Sequence, residues 1–176
     1  YTYNTLMDGN PDEDSIVGLF NLAEVKILEA IVWFEKGDYL RGVALAYGNL
    51  ANIKTVLEDF NSSLEYMRKA ISYFKKLNYD TYTVIGYYTL TETFTQIGQL
   101  DSAALYGHKA LNLAEELDSK IDIKNSLGKL SRVYEGMGDY ETAFQYQTEF
   151  YTAYAKLINQ ENNLIVSDLN KKYETE

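Results

Sequence analysis

The stretch GDYETAFQYQTEFY, residues 138–151, repeats a sparse pattern that also occurs in GQLDSAALYGHKAL, residues 98–111. The two segments align at a separation of 40 residues and agree only at spaced positions. Agreement of this kind is expected where packing alone is constrained, so the pattern predicts an internal structural repeat. The positions that align at this separation are Gly18, Glu58, Gly98 and Gly138, followed by Ala23, Ser63, Ala103 and Ala143.

The segment SLGKLSRVYEGM, residues 126–137, has the spacing of one helical face and predicts the first helix of a hairpin. Gly138 ends that helix, because glycine takes the left-handed conformation of a C-terminal cap cheaply. Asp139 follows as the N-cap of the second helix, and the small side chain of Ala143 allows the two helices to approach closely.

The pattern resembles the tetratricopeptide repeat (TPR). In that family a Leu-small pair and an aromatic residue precede a Gly-Asp-Tyr turn, and a small residue and an aromatic follow it. The matching residues in the last copy are Leu130, Ser131, Tyr134, Gly138, Asp139, Tyr140, Ala143 and Tyr146. The copy before it matches with Leu90, Thr91, Phe94, Gly98, Leu100, Ala103, Tyr106 and Ala110, and an earlier one with Leu50, Ala51, Phe60, Ser63, Tyr66 and Ala70. Lys54 stands where an aromatic residue is usual. The 40-residue period is shared with HEAT-like repeats, but the small residues and the turn favour the TPR interpretation.

This resemblance implies an all-α fold, a superhelical array of antiparallel helix pairs of the TPR-like α-solenoid type with a C-terminal capping helix. The array is expected over 1–159, with a partial first copy over 1–36 and copies at about 41–77, 81–117 and 121–158. The expected helices are about 11–17, 20–36, 41–57, 60–77, 81–97, 100–117, 121–137 and 140–158. A separate capping or linker helix is expected over 160–176, docked on the last repeat near Phe150.

The last segment also resembles the TPR sensor region of Bacteroidetes sensor histidine kinases and LuxR-type regulators, through its ending LNKKYETE at 169–176. That resemblance implies the periplasmic region of a membrane-anchored parent, with a cytoplasmic location as the alternative. Any membrane contact would run through a parent span outside this chain. A homodimer through the C-terminal helix is a further expectation, because Val166, Leu169 and Tyr173 follow coiled-coil spacing.

Composition excludes several classes of function. The formal net charge of −10 argues against direct nucleic-acid binding, and the absence of cysteine excludes disulfides and thiolate metal sites. His108 is the only histidine and is expected to face solvent. The alternating Asp8, Asn10, Asp12 and Asp14 suit a helix start better than a calcium loop, because the required glycine and closing glutamate are missing. The sequence therefore predicts no enzyme, no metal site and no cofactor.

The 17 tyrosines divide into two predicted groups. The first group occupies packing positions and is expected in the core: Tyr66, Tyr106, Tyr134, Tyr140 and Tyr146. The second group lies on the first helices of the pairs, where some members should face a binding groove: Tyr47, Tyr87 and Tyr88.

The TPR resemblance also places the concave groove on the first helices of the pairs. The implied groove residues are Leu45, Gly48, Asn49, Asn52, Ile85, Tyr88, Thr89, Glu92, Asn125, Gly128, Lys129 and Arg132. This set does not match a chaperone-tail clamp, because Gly48, Thr89 and Asn125 replace clamp residues. It predicts a mixed groove for a protein or peptide ligand, with plain solvated faces as the alternative. The function expected is a non-catalytic binding domain in a larger sensor kinase or transcriptional regulator; the alternative is a free-standing cytoplasmic TPR adaptor or peptide-responsive regulator.

Overall fold

The regular structure of the chain is helical throughout the described part. The structure, a computed structural model, describes the backbone of residues 13–174 and the side chains of 15–159, 162 and 163. The helices are α1 Glu13–Lys36, α2 Leu40–Val56, α3 Phe60–Lys76, α4 Asp80–Gln96, α5 Leu100–Glu116, α6 Lys120–Met137 and α7 Tyr140–Glu174. None of them is both long and apolar enough to cross a membrane. From α2 to the start of α7, every predicted helix boundary is confirmed to within one residue.

Short links with one left-handed residue each connect the helices. The positive-φ residues fall at intervals of 20 along the chain: Asp38, Glu58, Asn78, Gly98, Asp118 and Gly138. The predicted role of Gly138 as a helix terminator is therefore confirmed. Gly98 takes the same conformation at its link, and the other four links place L-residues in it. Asp139 caps α7 as predicted, since its Oδ1 accepts a hydrogen bond from the Thr142 backbone N–H at 3.1 Å.

The chain divides into two compact units, residues 1–86 and 87–176, with the boundary inside α4. In the first unit, Ile31 of α1 packs with Ala46 and Leu50 of α2, and Ile27 and Phe34 border this cluster. In the second unit, Leu111 of α5 packs with Leu127 and Leu130 of α6. These apolar faces account for most of the stability that such repeats gain.

The small residues predicted at the crossing of each helix pair are buried. Ser63, Ala103 and Ala143 have almost no exposed surface. The Ser131 hydroxyl donates a hydrogen bond to the carbonyl oxygen of Ala143 at 3.0 Å, which fixes α6 against α7 at the point of closest approach. The predicted register of the pairs is therefore confirmed.

Tyrosine rings fill the space between paired helices. Tyr47 stacks on Tyr66 with centroids 6.0 Å apart, Phe94 on Tyr106 at 5.5 Å and Tyr134 on Tyr146 at 5.5 Å. These contacts agree with the predicted packing roles of the second-helix tyrosines. Tyr87 is buried, so it does not face a groove, and Tyr140 is exposed rather than part of the core.

The first copy of the repeat differs from the prediction. A break at Gly18 was expected, yet α1 runs from Glu13 to Lys36 without interruption. One glycine in a helix interior costs only about 1 kcal/mol relative to alanine, and Leu19, the residue before the predicted second helix, has no side-chain acceptor that could cap it. Residues 8–12, which carry most of the candidate calcium motif and the predicted helix cap, lie outside the described residues.

The C-terminal helix also differs from the prediction. A separate helix over 160–176 was expected to fold back on the last repeat, but α7 is a single helix of 35 residues. No glycine or proline lies between Tyr140 and Glu174 to end it earlier. Phe150 packs instead against α6, where it borders the cluster of Leu111, Leu127 and Leu130. The predicted seam of Val166, Leu169 and Tyr173 lies outside the described side chains.

An ion pair joins α1 to α2 and explains why Lys54 stands where an aromatic residue is usual. Its Nζ lies 2.8 Å from Glu24 Oε2 and 3.6 Å from Asp59 Oδ2, and the side chains of Lys54 and Glu24 are only 16% and 18% exposed. Hydrogen bonding to Glu24 raises the pKa of Lys54. The positions 40 residues later hold Leu64 and Phe94, so this charged pair occupies positions that are apolar in the next copy.

We predict that replacing Glu58 by glycine stabilises the chain. Glu58 has φ 57°, a conformation that costs an L-residue ~1–2 kcal/mol, whereas glycine loses ~0.5–1 kcal/mol through its freer unfolded state. Glu58→Gly should therefore raise the free energy of unfolding in urea by about 0.5–1 kcal/mol. The reverse change, Gly98→Ala, should lower it. An unchanged or reduced stability of Glu58→Gly would contradict the left-handed assignment of this link.

A second prediction concerns the pair of Glu24 and Lys54. Lys54→Phe leaves Glu24 unpaired in a poorly exposed contact, and Glu24→Leu leaves Lys54 only its longer contact to Asp59. Each single substitution should cost about 1–3 kcal/mol. The double variant reproduces the residues of the next copy and should recover most or all of this loss. A double-mutant cycle by urea denaturation measures the coupling. Strictly additive losses would show that the two side chains do not interact.

Candidate functional site

Several predicted groove residues meet at one cavity in the second unit. Tyr88 of α4 and Asn125, Lys129 and Arg132 of α6 line a cavity of about 460 Å³. Helix α7 supplies its other wall, through Gln147, Phe150 and Tyr151. The remaining lining residues are Gly128, Ser131 and Glu135. We call this cavity the α4–α6–α7 pocket.

Other predicted groove residues lie elsewhere. Asn49 and Asn52 are exposed on α2 in the first unit, and neither lines the pocket. Thr89 is half-buried on α4 and also lies outside the lining. Glu92 does not line the pocket but pairs with Lys129, which does. The site is therefore smaller than the predicted groove and lies on α4, α6 and α7.

Two oppositely charged residues of the predicted mixed groove pair with each other. Lys129 forms an ion pair with Glu92, and its Nζ also lies 5.7 Å from the centroid of the Tyr88 ring. The lysine charge is thus compensated within the protein. Arg132 is exposed and forms no ion pair with any described residue. It is the cation in this pocket that remains available to a ligand.

Tyr88 is held in its protonated form. Burial raises the pKa of its hydroxyl, and the negative charge of Asp122 raises it further. Asp122 is buried near the start of α6, where its Oδ2 accepts a hydrogen bond from the Ser119 hydroxyl at 2.6 Å. At neutral pH, Tyr88 therefore presents a neutral ring face with a hydroxyl that can donate a hydrogen bond.

A close contact between α6 and α7 shapes the pocket. A Cβ atom at Gly128 would lie 3.1 Å from Cδ2 of Phe150, closer than nearly all ordinary contacts. Glycine at this position therefore lets the phenylalanine ring approach α6, while Gln147 and Tyr151 stand beside it at the opening. Sequence reasoning missed the α7 residues, because it assigned the groove to the first helices of the pairs alone. Phe150 stands where the two preceding copies have Ala70 and Ala110, and this exchange was the signal that α7 contributes.

A second and more apolar cavity of about 550 Å³ lies between the start of α6 and the later turns of α7. Ile123, Leu127 and Ala153 form its apolar part, and Lys120 and Lys156 stand at its polar part. No predicted site residue lines it. In the sequence, the residues that line this cavity form no recognisable motif. Sequence analysis therefore did not indicate the cavity.

His108 does not point freely into solvent as predicted. Its Nε2 lies 2.9 Å from the Tyr134 hydroxyl, and its ring meets the edges of Tyr134 and Tyr146. The imidazole therefore belongs to the aromatic packing between α5, α6 and α7. Within the residues that the structure describes, no three acidic, histidine or cysteine side chains are grouped to hold a metal ion.

Solved structures share this fold. The crystal structure of BtubC (BKLC) from P. vanneervenii is 19% identical, with a TM-score of 0.65 over 89% of this chain and 70% of that one. Aspartyl phosphate phosphatase F from Bacillus subtilis is 18% identical, with a TM-score of 0.67 over 94% of this chain, which spans only 40% of the phosphatase. The TPR-like repeats of a putative kinesin light chain from Podosopora anserina are 13% identical, with a TM-score of 0.60 over 90% of this chain and 84% of that one.

The structural comparison confirms the all-α, TPR-like repeat fold expected from the sequence. At these identities the likeness is one of fold. No protein-family model matches the sequence. A comparison with curated proteins finds no match either.

Proposed function

We propose that this chain is a non-catalytic interaction module that binds a protein or peptide segment in the α4–α6–α7 pocket. The observation that carries the proposal is the convergence of Tyr88, Asn125 and Arg132 on one open cavity of about 460 Å³. An aromatic face, an amide and a cation together recognise the mixed polar and apolar surface of a polypeptide.

The chemistry of the pocket defines the preferred segment. Arg132 offers a fork of N–H donors to a carboxylate or to backbone carbonyls. Tyr88, Phe150 and Tyr151 offer ring surface to an apolar or aromatic side chain. The proposed ligand therefore combines an apolar residue with a nearby acceptor group. The net charge of −10 disfavours strongly acidic ligands by long-range repulsion.

We further propose that the chain is the interaction region of a larger signal-transduction protein, a sensor kinase or a transcriptional regulator. The resemblance of its last segment to such proteins supports this, as does α7, which extends well past the length of the other helices. A membrane-anchored parent with this region in the periplasm fits that resemblance. A free-standing cytoplasmic adaptor is the second candidate.

Binding in the pocket can be tested with a displayed library of random peptides selected on the intact chain. Peptides enriched on the wild type should bind Tyr88→Ala and Arg132→Ala at least about tenfold more weakly, a loss of ~1.4 kcal/mol. Circular dichroism should show that both variants keep their helices, so that the loss reflects the pocket and not the fold. The matched control is Lys109→Ala, which removes one exposed positive charge from α5. Equal binding by the pocket variants, or no enrichment on the wild type, would refute the pocket as the site.

The signalling context is tested by the reading frame of the parent gene beyond the codon for Glu176. We expect a membrane span or coiled coil followed by a kinase or DNA-binding domain. A stop codon directly after Glu176 would refute the signalling proposal and favour the adaptor. That outcome would leave the binding experiment unaffected.

A further inference from the structure

One face of α7, beside its contact with α6, carries an uncharged stripe of large side chains. Its described members are spaced by steps of four, three, four, three and four residues: Tyr140, Phe144, Gln147, Tyr151, Tyr154 and Ile158. We call this set the terminal stripe. Tyr140 is 71% exposed, Phe144 69%, Tyr151 59% and Tyr154 46%. So much aromatic surface on one helix face marks an interaction site.

The equivalent stripes on earlier helices are covered. Forty residues earlier, α5 has Gly107, Leu111 and Ala114 buried at the corresponding positions, and a further 40 residues earlier α3 has Leu64, Met67, Ile71 and Phe74 buried. In the second unit, Leu130 of α6 lies over Gly107. In the first unit, Gly86 of α4 lies over Ile71 and Met67. A following helix thus covers this face in each unit.

Helix α7 receives no such cover from the described chain. The links place a left-handed residue every 20 positions up to Gly138. The next such position is Ile158, but α7 continues through it to Glu174. Because the chain does not turn there, no described segment lies back over the terminal stripe.

We infer that the terminal stripe is covered by the same stripe of a second copy of this chain. Its steps alternate between four and three residues, the pattern along which two helices pack at a shared seam. No charged residue interrupts the stripe from Tyr140 to Ile158, so two identical stripes can meet without burying like charges. A two-fold contact of this kind is the commonest form of homo-oligomer.

The available surface is sufficient for such a dimer. A buried aromatic side chain covers ~150–250 Å², so the four exposed rings supply roughly 500 Å² per copy. Two copies would therefore bury about 1,000 Å² through these rings, the total area that a biological interface should reach. This inference does not rest on the proposed peptide binding, although Gln147 and Tyr151 of the stripe also border the α4–α6–α7 pocket.

Sedimentation velocity of the full chain over a range of concentrations tests the inference. The wild type should sediment as a species of twice the chain mass of 20.2 kDa. The double variant Tyr140→Glu with Phe144→Glu places two charges in the seam and should raise the dissociation constant at least about a hundredfold, ~2.7 kcal/mol. These two residues line neither cavity, so peptide binding at the pocket should persist.

The matched control is the double variant Leu105→Glu with Ile121→Glu, which changes two exposed apolar residues outside the stripe and should remain dimeric. Circular dichroism establishes that both variants keep their helices. A wild type that stays monomeric at tens of micromolar overturns the inference and leaves the stripe to a different partner. A dimer that survives the Tyr140 and Phe144 changes overturns it as well.

Discussion

The structure depends on one constraint, the burial of the apolar stripe of each second helix beneath the helix that follows it. Ile31 meets Ala46 and Leu50, Ile71 lies beneath Gly86, and Leu111 packs with Leu130. Left-handed residues at intervals of 20 keep helix lengths equal, so the same faces meet in each pair. The strain that this conformation places on L-residues such as Glu58 is the cost of keeping that register.

In the first helix pair, the contact between α1 and α2 includes a pair of oppositely charged side chains. Glu24 and Lys54 occupy positions that hold Leu64 and Phe94 in the next copy, and their ion pair closes the contact between α1 and α2. A charged pair with little exposure adds less stability than packed apolar side chains. It does, however, penalise any shift in register that would separate the two charges.

The α4–α6–α7 pocket lies where this burial of one helix beneath the next is incomplete. In the second unit, Leu130 lies over the space between Thr91 and Gly107. Forty residues later, Ser131 and Gln147 border an open cavity, and no described helix covers α6 and α7 there. The same circumstance exposes the terminal stripe. The proposed ligand site and the inferred dimer face are thus two consequences of one uncovered end, and separate residues control them: Tyr88 and Arg132 for the first, Tyr140 and Phe144 for the second.

The sequence by itself determined the helices and their pairing, and it indicated part of the lining of the candidate site. Helical periodicity and turn chemistry act between residues three or four apart, so boundaries such as Leu100 and Met137 followed from local pattern. The tertiary structure alone decided which helix faces meet and what their charges do. It paired Lys129 with Glu92, turned His108 onto Tyr134, carried α1 through Gly18 and brought α7 into the pocket through Phe150. These outcomes depend on contacts between side chains that are far apart in the chain, and the local sequence pattern does not predict such contacts.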